Sequence, residues 1–337
     1  MLRDSPSRLI RPLALAAAGI ALSGCYYLHL ASGQLEMNRR RAPIADVMAR
    51  ADSSETLRRR LDLANRARDF AMTALGLPDN GSYRSYADLG RPYATWNVFA
   101  APELSVTPKR WCFPVAGCVA YRGYFDEGLA TRAAERLAAR GYDVHVGPSI
   151  AYSTLGHLRD PVLNTMLSYG DRELAAFIFH ELAHQRVYAA GDIDFSEAFA
   201  TVVEIEGLRR WLAAGTGGGS IEEFLAARRR QEAVADAMVE SRARLAVIYA
   251  GAASDAQKRE AKSAEFTRLR ATLASAGLAR AGELNNARLT AAAAYHRCVP
   301  ALTAELTRLG NDLPAFYAAM EALERDAESR RRLCPRA

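Results

Sequence analysis

The chain has 337 residues, 50% of them hydrophobic and 24% charged, with a formal net charge of +6. This length and apolar content allow one sizeable core with a helical appendage. The basic excess does not indicate a nucleic-acid partner. The arginine-rich stretches lie in acid-containing helical segments and form no basic face interleaved with aromatic residues.

The N-terminus predicts a secretory signal that ends in a lipid anchor. Three arginines precede an apolar core at residues 13–22, which is too short to remain as a transmembrane helix. Leu22-Ser23-Gly24-Cys25 resembles a bacterial lipobox, which implies cleavage before Cys25 and attachment of lipid to its thiol. A plain secreted protein and an uncleaved anchor are the alternatives. Tyr26 replaces the Asp associated with retention in the inner membrane, so we expect a periplasmic protein on the outer membrane.

Four further cysteines agree with export, because an even number favours pairing in an oxidising compartment. Cys112 and Cys118 lie close together in the sequence, and Cys298 and Cys334 could join two C-terminal helices. The sequence does not fix the connectivity, and free buried thiols are the alternative. A zinc site built from cysteines is not expected, because the chain has no C-x-x-C motif.

The predicted elements before residue 150 indicate an α+β fold that is mainly helical. Residues 36–77 have a helical pattern. Aromatic and β-branched residues, broken by Pro and Gly, predict strands within residues 93–125. A helix capped by Asp126 and a short strand at residues 144–146 would then complete a small mixed sheet through a right-handed crossover.

The stretch His180-Glu181-Leu182-Ala183-His184 carries the clearest chemistry. On a helix, the two histidines lie on one face and can bind one zinc ion. Glu181 lies about 100° further round the helix, where it can accept a proton from the metal-bound water. Two surface histidines are the alternative. An apolar stripe, however, predicts a buried helix in which histidines need partners, so we predict a zinc site.

A second predicted helix offers the third protein ligand that such a zinc site needs. We expect Ser196 to cap this helix, which starts near Glu197 and runs to about Leu212. A turn at Gly191 would fold Glu197 back onto the metal; stabilisation of the helix N-terminus is the alternative role. Glu204 lies on the same face, where it could hold a ligating histidine or bind the metal itself.

A glycine-rich joint at residues 216–220 precedes a helical C-terminal region. Its helical patterns are separated by Gly251, Gly277 and Gly310. We therefore divide the chain into a signal peptide (1–24), an N-terminal anchor and helical segment (25–92), a zincin-like catalytic core (93–215) and a helical region that completes the fold (216–337).

Two motifs resemble those of known zinc peptidases. Residues 180–185, HELAHQ, followed by residues 196–200, SEAFA, are similar to the H-E-L-A-H-Q and N-E-G-F-A motifs of the M1 aminopeptidases, which are gluzincins. The chain departs from them in a shorter gap, in Ser196, and in the lack of the G-x-M-E-N element that holds the substrate's amine. It more closely resembles a bacterial group of predicted aminopeptidase lipoproteins, including at residues 111–115 and 152–156.

This resemblance implies a zincin-like metallopeptidase that uses Zn2+ and takes extended peptides as substrates. The zinc ligands would be His180, His184 and Glu197, and Glu181 would pass the proton of the attacking water to the leaving amine. The resemblance favours release of N-terminal residues. An endopeptidase acting on envelope proteins or the cell wall is the first alternative. A lipoprotein that binds an unidentified protein partner, with a zinc site that only stabilises its fold, is the second.

The resemblance also implies further groups beside the metal. In zincins an edge strand before the metal helix pairs with the substrate, and residues 150–155 could form it, with an ordinary loop as the alternative. Tyr152 could then donate to the oxyanion of the tetrahedral intermediate, or it could fill the core. Many gluzincins take a transition-state Tyr or His from downstream, so Tyr295 or His296 could complete the site; packing is the alternative.

Overall fold

The structure is a computed structural model that describes residues 26–113, 117–216, 218–277, 282–292 and 298–334. The helices are α1 (26–40), α2 (Ile44–Ala49), α3 (Glu55–Thr73), α4 (Glu127–Ala138), α5 (Asp171–His184), α6 (Ile193–Ala213), α7 (Ile221–Ala250), α8 (Asp255–Ser275), α9 (Asn286–Ala292), α10 (Val299–Arg308), α11 (Leu313–Arg325) and α12 (Ala327–Leu333). The strands are β1 (Arg41–Pro43), β2 (Ser85–Ala87), β3 (Thr95–Pro102), β4 (Trp111–Phe113), β5 (Gly117–Val119), β6 (Tyr121–Tyr124), β7 (Tyr142–Ser149) and β8 (Val162–Leu163). Among these helices none is long and apolar enough to cross a membrane.

The structure confirms an α+β fold that is mainly helical, but the strands form three small sheets instead of one. In the largest, β3 lies between β6 and β7 and pairs with both in antiparallel register, so this sheet is not mixed. The mixed sheet is a separate one, in which β2 pairs antiparallel with β1 and parallel with β8. Strands β6 and β7 run parallel to each other, as the predicted connection through α4 requires.

The predicted helix at residues 36–77 is interrupted. Residues Arg41–Pro43 form β1 because they pair with β2, and Pro43 then occupies the N-cap of α2. Proline lacks a backbone N–H and cannot continue a preceding helix. A second break ends where Ser54 caps α3, accepting a hydrogen bond from the Leu57 amide. The predicted cap of α4 is confirmed, since Asp126 accepts from the Leu129 amide.

One hydrophobic core joins the N-terminal helices to α5, α6 and the C-terminal helices α10 and α11. Phe199 of α6 stacks on Phe316 of α11, with ring centroids 5.8 Å apart. Gly207 lets α6 approach α5 closely, because a Cβ there would lie 3.0 Å from the Phe179 ring and 2.7 Å from Leu75. The helix that carries the H-E-x-x-H motif is therefore held on both sides by packed elements.

Two disulfides join the cysteines that follow Cys25. Cys112 and Cys118 link β4 to β5 across their hairpin. Cys298 and Cys334 link the start of α10 to the end of α12. Cys25 itself lies outside the described residues.

Candidate metal centre

The two motif histidines meet on one face of α5. Their Nε2 atoms lie 3.1 Å apart, and their rings are nearly perpendicular. Helix α5 begins with Asp171 and Glu173 in its first turn, where carboxylates favour the helix dipole, and its apolar face is buried in the core. This burial fixes the helix and leaves both imidazoles pointing towards α6.

Glu197 of α6 completes a cluster of three donor groups. Its carboxylate oxygens lie 3.3 Å from His180 Nε2 and 3.6 Å from His184 Nε2. The three donor atoms all lie within 4.8 Å of one another. Atoms that bind one tetrahedral zinc ion at about 2.0–2.1 Å lie roughly 3.3 Å from each other. The side chains therefore fit a zinc ion placed between them.

A chain of polar contacts orients His180 from behind. Its Nδ1 lies 2.9 Å from a carboxylate oxygen of Glu204, and the other oxygen of Glu204 accepts a hydrogen bond from Arg228 of α7 at 2.9 Å. Arg228 also donates to the Thr201 hydroxyl. Such contacts fix the tautomer and the ring orientation of a ligating histidine. In the described residues, His184 Nδ1 is buried without a hydrogen-bond partner.

The carboxylates around His180 favour positive charge at this position. Burial alone would lower the pKa of His180, but hydrogen bonds to Glu197 and Glu204 raise it well above its usual range. Burial would likewise raise the pKa of Glu197, but the hydrogen bonds to His180 and His184 hold it well below its usual range. The carboxylates of Glu181, Glu197 and Glu204 all lie in or beside the centre. A bound metal cation would offset part of their negative charge.

Glu181 lies beside the donor cluster without joining it. Burial raises its pKa, while His184 and His180 oppose the rise. Its side chain lines a cavity of about 390 Å³ that also reaches His180 and Glu204. The cavity has apolar walls, formed in part by Phe177 and Phe224, and its volume is in the range of sites for small ligands.

A tyrosine on the β6–β3–β7 sheet lies close to the centre. Burial, together with the neighbouring Tyr188, Glu197 and Glu181, raises the pKa of the Tyr121 phenol to about 12. The phenol therefore keeps its proton at neutral pH and lies near enough to both carboxylates to feel their charge. Tyr188 lies in the loop that follows α5, and its ring centroid is 6.2 Å from that of His184. Two phenols thus stand beside the candidate ligands.

A sequence model for the family described as "Putative aminopeptidase" matches residues 25–334. The chain belongs to this family. The match includes the donor cluster, the tyrosines beside it and helix α7, which supplies Arg228. The family's description indicates peptide hydrolysis. No curated protein and no solved structure matches the chain.

Helix α6 begins earlier than predicted, and Ser196 is not its cap. The helix starts at Ile193, so Ser196 lies inside it and donates to the Asp192 carbonyl while accepting from the Ala189 amide. These bonds tie α6 to the loop that follows α5. Glu197 consequently lies in the second turn, where its carboxylate meets the two histidines instead of stabilising the helix N-terminus.

The predicted edge strand at residues 150–155 does not form. Strand β7 ends at Ser149, whose hydroxyl bonds both backbone groups of Ala151. Thr154 then donates from its amide and hydroxyl to the Asp160 carboxylate. These local side-chain bonds replace the bonds of a strand. Tyr152 packs on Phe125, with ring centroids 4.8 Å apart, which matches its alternative role in the core.

The remaining sequence-predicted groups are placed as follows. Glu204 contacts His180 and lies outside the donor cluster, in the supporting position rather than as a ligand. Tyr295 and His296 lie outside the described residues. Sequence reasoning missed Tyr121, Tyr188 and Arg228. Only Tyr188 could have been found from the sequence, because it lies four residues after His184 and so repeats the spacing of the two motif histidines.

Proposed function

We propose that the protein is a zinc-dependent peptidase that releases N-terminal residues from peptides in the bacterial envelope. The observation that carries this proposal is the donor cluster of His180, His184 and Glu197, with Glu181 beside it at the wall of a cavity. The spacing of the donor atoms supports one bound zinc ion, and membership of the family supports peptides as substrates.

His180, His184 and Glu197 would hold the zinc ion. When bound, zinc lowers the pKa of a coordinated water and polarises a carbonyl oxygen. Glu181 accepts the proton of the attacking water and delivers it to the nitrogen of the leaving amine. Burial raises the pKa of the Glu181 carboxyl, which makes the carboxylate a stronger base towards the attacking water. A pKa closer to neutral also lets the same group hold the proton until the leaving amine takes it.

We assign to the phenol of Tyr121 the role of donor to the substrate oxygen on which negative charge develops. Its raised pKa keeps it protonated, and a protonated donor aimed at the developing oxyanion stabilises the transition state. Tyr188 lies on the same side of the cluster and would exclude water or provide a second donor. Tyr152 is not assigned this role, because its ring packs on Phe125.

An aminopeptidase also needs an anion that binds the free amine of its substrate. Glu173 lines the same cavity as Glu181. Its neighbours are engaged elsewhere, since Asp171 pairs with Arg60 and Arg172 pairs with Glu223. We assign the recognition of the substrate's ammonium group to Glu173.

The N-terminus and the cysteines support the proposed location. The lipobox-like residues before Tyr26 support a lipid anchor at Cys25, facing the periplasm from the outer membrane. The two disulfides of the structure agree with an oxidising compartment.

Peptide digestion tests the proposal. A protein that begins at Tyr26 keeps all the described elements; it is incubated with defined peptides, and new termini are mapped by mass spectrometry. Glu181→Gln serves as the control, with its zinc content measured in the same preparation. Loss of single N-terminal residues that depends on Glu181 would support the proposal. Internal cuts would make the protein an endopeptidase, and no cleavage by a zinc-loaded protein would favour the non-catalytic lipoprotein.

A further inference from the structure

A second cavity, of about 520 Å³, lies on the other face of the β6–β3–β7 sheet. Adjacent residues of a strand point to opposite faces, and Arg122 lines this cavity whereas Tyr121 faces the candidate metal centre. The cavity is bounded by the start of α1, by the sheet and by α4. It is therefore separate from the candidate peptidase site.

The lining of this cavity is strongly basic. Lys109, Arg122, Arg136 and Arg140 all contribute to it, and none of its lining residues in the described ranges is acidic. None of these four cations forms an ion pair within the described part of the chain. Like charges gathered around one cavity repel one another, and an anion between them would relieve that repulsion.

Arg122 is prepared for a ligand. Its guanidinium stacks over the Tyr26 ring at 3.7 Å, which fixes the plane of its hydrogen-bond donors. The Tyr26 hydroxyl in turn donates to the Gly123 carbonyl, so the stacking ring is itself held on the sheet. Arg122 Nε is buried and has no hydrogen-bond partner in the described residues. A planar, pre-oriented guanidinium suits a phosphate group, which accepts two parallel hydrogen bonds.

The position of the cavity indicates where this phosphate comes from. Tyr26 is one wall, and it directly follows Cys25, the residue at which we expect lipid attachment. An anchor at Cys25 would hold this cavity against the headgroup layer. Basic residues next to a membrane surface attract anionic headgroups.

We propose that this cavity, which we call the basic pocket, binds the phosphate group of an anionic phospholipid. The pocket docks the start of α1 and the β6–β3–β7 sheet on the membrane. The lipid at Cys25 and the pocket then provide two membrane contacts, and stable anchoring generally requires two. The metal centre, on the opposite face of the same sheet, is thereby directed away from the bilayer.

The test uses the protein that begins at Tyr26, so that attached lipid does not mask the pocket. Its partition onto phosphatidylcholine vesicles, with and without phosphatidylglycerol, is measured by sedimentation. We expect binding only to the anionic vesicles. The triple variant Arg122→Gln, Arg136→Gln, Arg140→Gln should bind roughly tenfold less tightly or worse, since each cation near an anionic surface contributes to attraction.

The matched control removes the same charge elsewhere, through Arg229→Gln, Arg230→Gln and Arg331→Gln at exposed positions. This control should retain binding within about twofold. If it loses as much binding as the pocket variant, general charge explains the attraction and the proposal fails. The proposal also fails if the pocket variant binds the anionic vesicles as tightly as the unaltered protein does.

Two further measurements complete the test. If the triple variant does not fold, Lys109→Gln with Arg136→Gln and Arg140→Gln leaves the stacked Arg122 intact and is expected to weaken vesicle binding as well. Calorimetry with glycerol phosphate distinguishes the sources of the phosphate group. Binding of glycerol phosphate without binding to vesicles would assign the pocket to a soluble ligand and contradict the membrane assignment.

Discussion

His180 Nδ1 lies 2.9 Å from a carboxylate oxygen of Glu204, and this contact connects the C-terminal helices to the metal centre. The other oxygen of Glu204 is bonded by Arg228, which α7 contributes from beyond the glycine-rich joint. The C-terminal region is thus part of the support of the site.

We expect Glu204→Ala to lower zinc affinity by roughly 10–100-fold, because a ligating histidine loses its orientation and some basicity without this partner. Competition with a metal chelator measures the effect. Glu232→Gln is the matched control, since Glu232 also pairs with Arg228 but does not contact His180. Equal losses in both variants would contradict a specific role for Glu204.

Tyr121→Phe tests the proposed oxyanion donor. Removal of one such donor should lower kcat by roughly 100–1000-fold while KM and zinc content stay nearly constant. Tyr124→Phe is the control, because Tyr124 lies on the same strand and lines the basic pocket on the opposite face. A change in KM alone would place Tyr121 in substrate binding instead of transition-state stabilisation.

Glu173→Gln tests recognition of the substrate's amine. Loss of a charge-assisted bond of about 1.5–3 kcal/mol should raise KM roughly 10–100-fold for peptides with a free N-terminus. Residual cleavage of N-acetylated peptides, which lack the ammonium group, should not change. The melting temperature is recorded alongside, because Glu173 also lies in the first turn of α5. A drop in stability with equal effects on both peptide types would indicate helix stabilisation alone.

His145 predicts a pH dependence of stability. Burial, together with the charge of Arg288, lowers the pKa of His145 from 6.5 to about 4. Above pH 6.5 the side chain is neutral in both states and has no effect. As the pH falls from 6.5 towards 4, the unfolded chain binds a proton that the folded chain resists, so stability is lost across this window.

His145→Gln should therefore lose less stability than the unaltered protein between pH 7 and pH 4.5, as measured by denaturant unfolding. His157→Gln, at an exposed position, is the control and should follow the unaltered protein. Subtracting the unfolding free energies of the two proteins at each pH removes the contributions of the other groups that titrate in acid. Parallel curves for the unaltered protein and His145→Gln would show that His145 has no such role.

The helix of the H-E-x-x-H motif was predictable because its information is local. The spacing of His180 and His184 places them on one face of a helix regardless of the rest of the fold. The role of Glu197 was predictable for the same reason, since a short turn connects its helix to α5. The error at Ser196 concerned only which side chain begins that helix, and helix ends are the least certain part of such predictions.

The rest of the site depends on long-range packing. Tyr121 lies near enough to Glu181 and Glu197 to feel their charge because the tertiary fold brings β6, which pairs with β3, close to the centre. Arg228 reaches Glu204 because α7 folds back after the joint. Neither of these long-range contacts produces a periodic pattern in the sequence. Residues 150–155 were proposed as an edge strand because zincins have one before the metal helix. Hydroxyl side chains that bond their own backbone and Asp160 hold these residues as a loop instead.

The most direct test of the account is diffraction from crystals of the protein at the zinc absorption edge. The account predicts one anomalous peak between His180 Nε2, His184 Nε2 and a carboxylate oxygen of Glu197, at about 2.0–2.2 Å from each. The peak should vanish in Glu197→Ala and persist in Glu181→Gln. A peak at another place, or its absence from crystals of a preparation that cleaves peptides, would contradict the central claim.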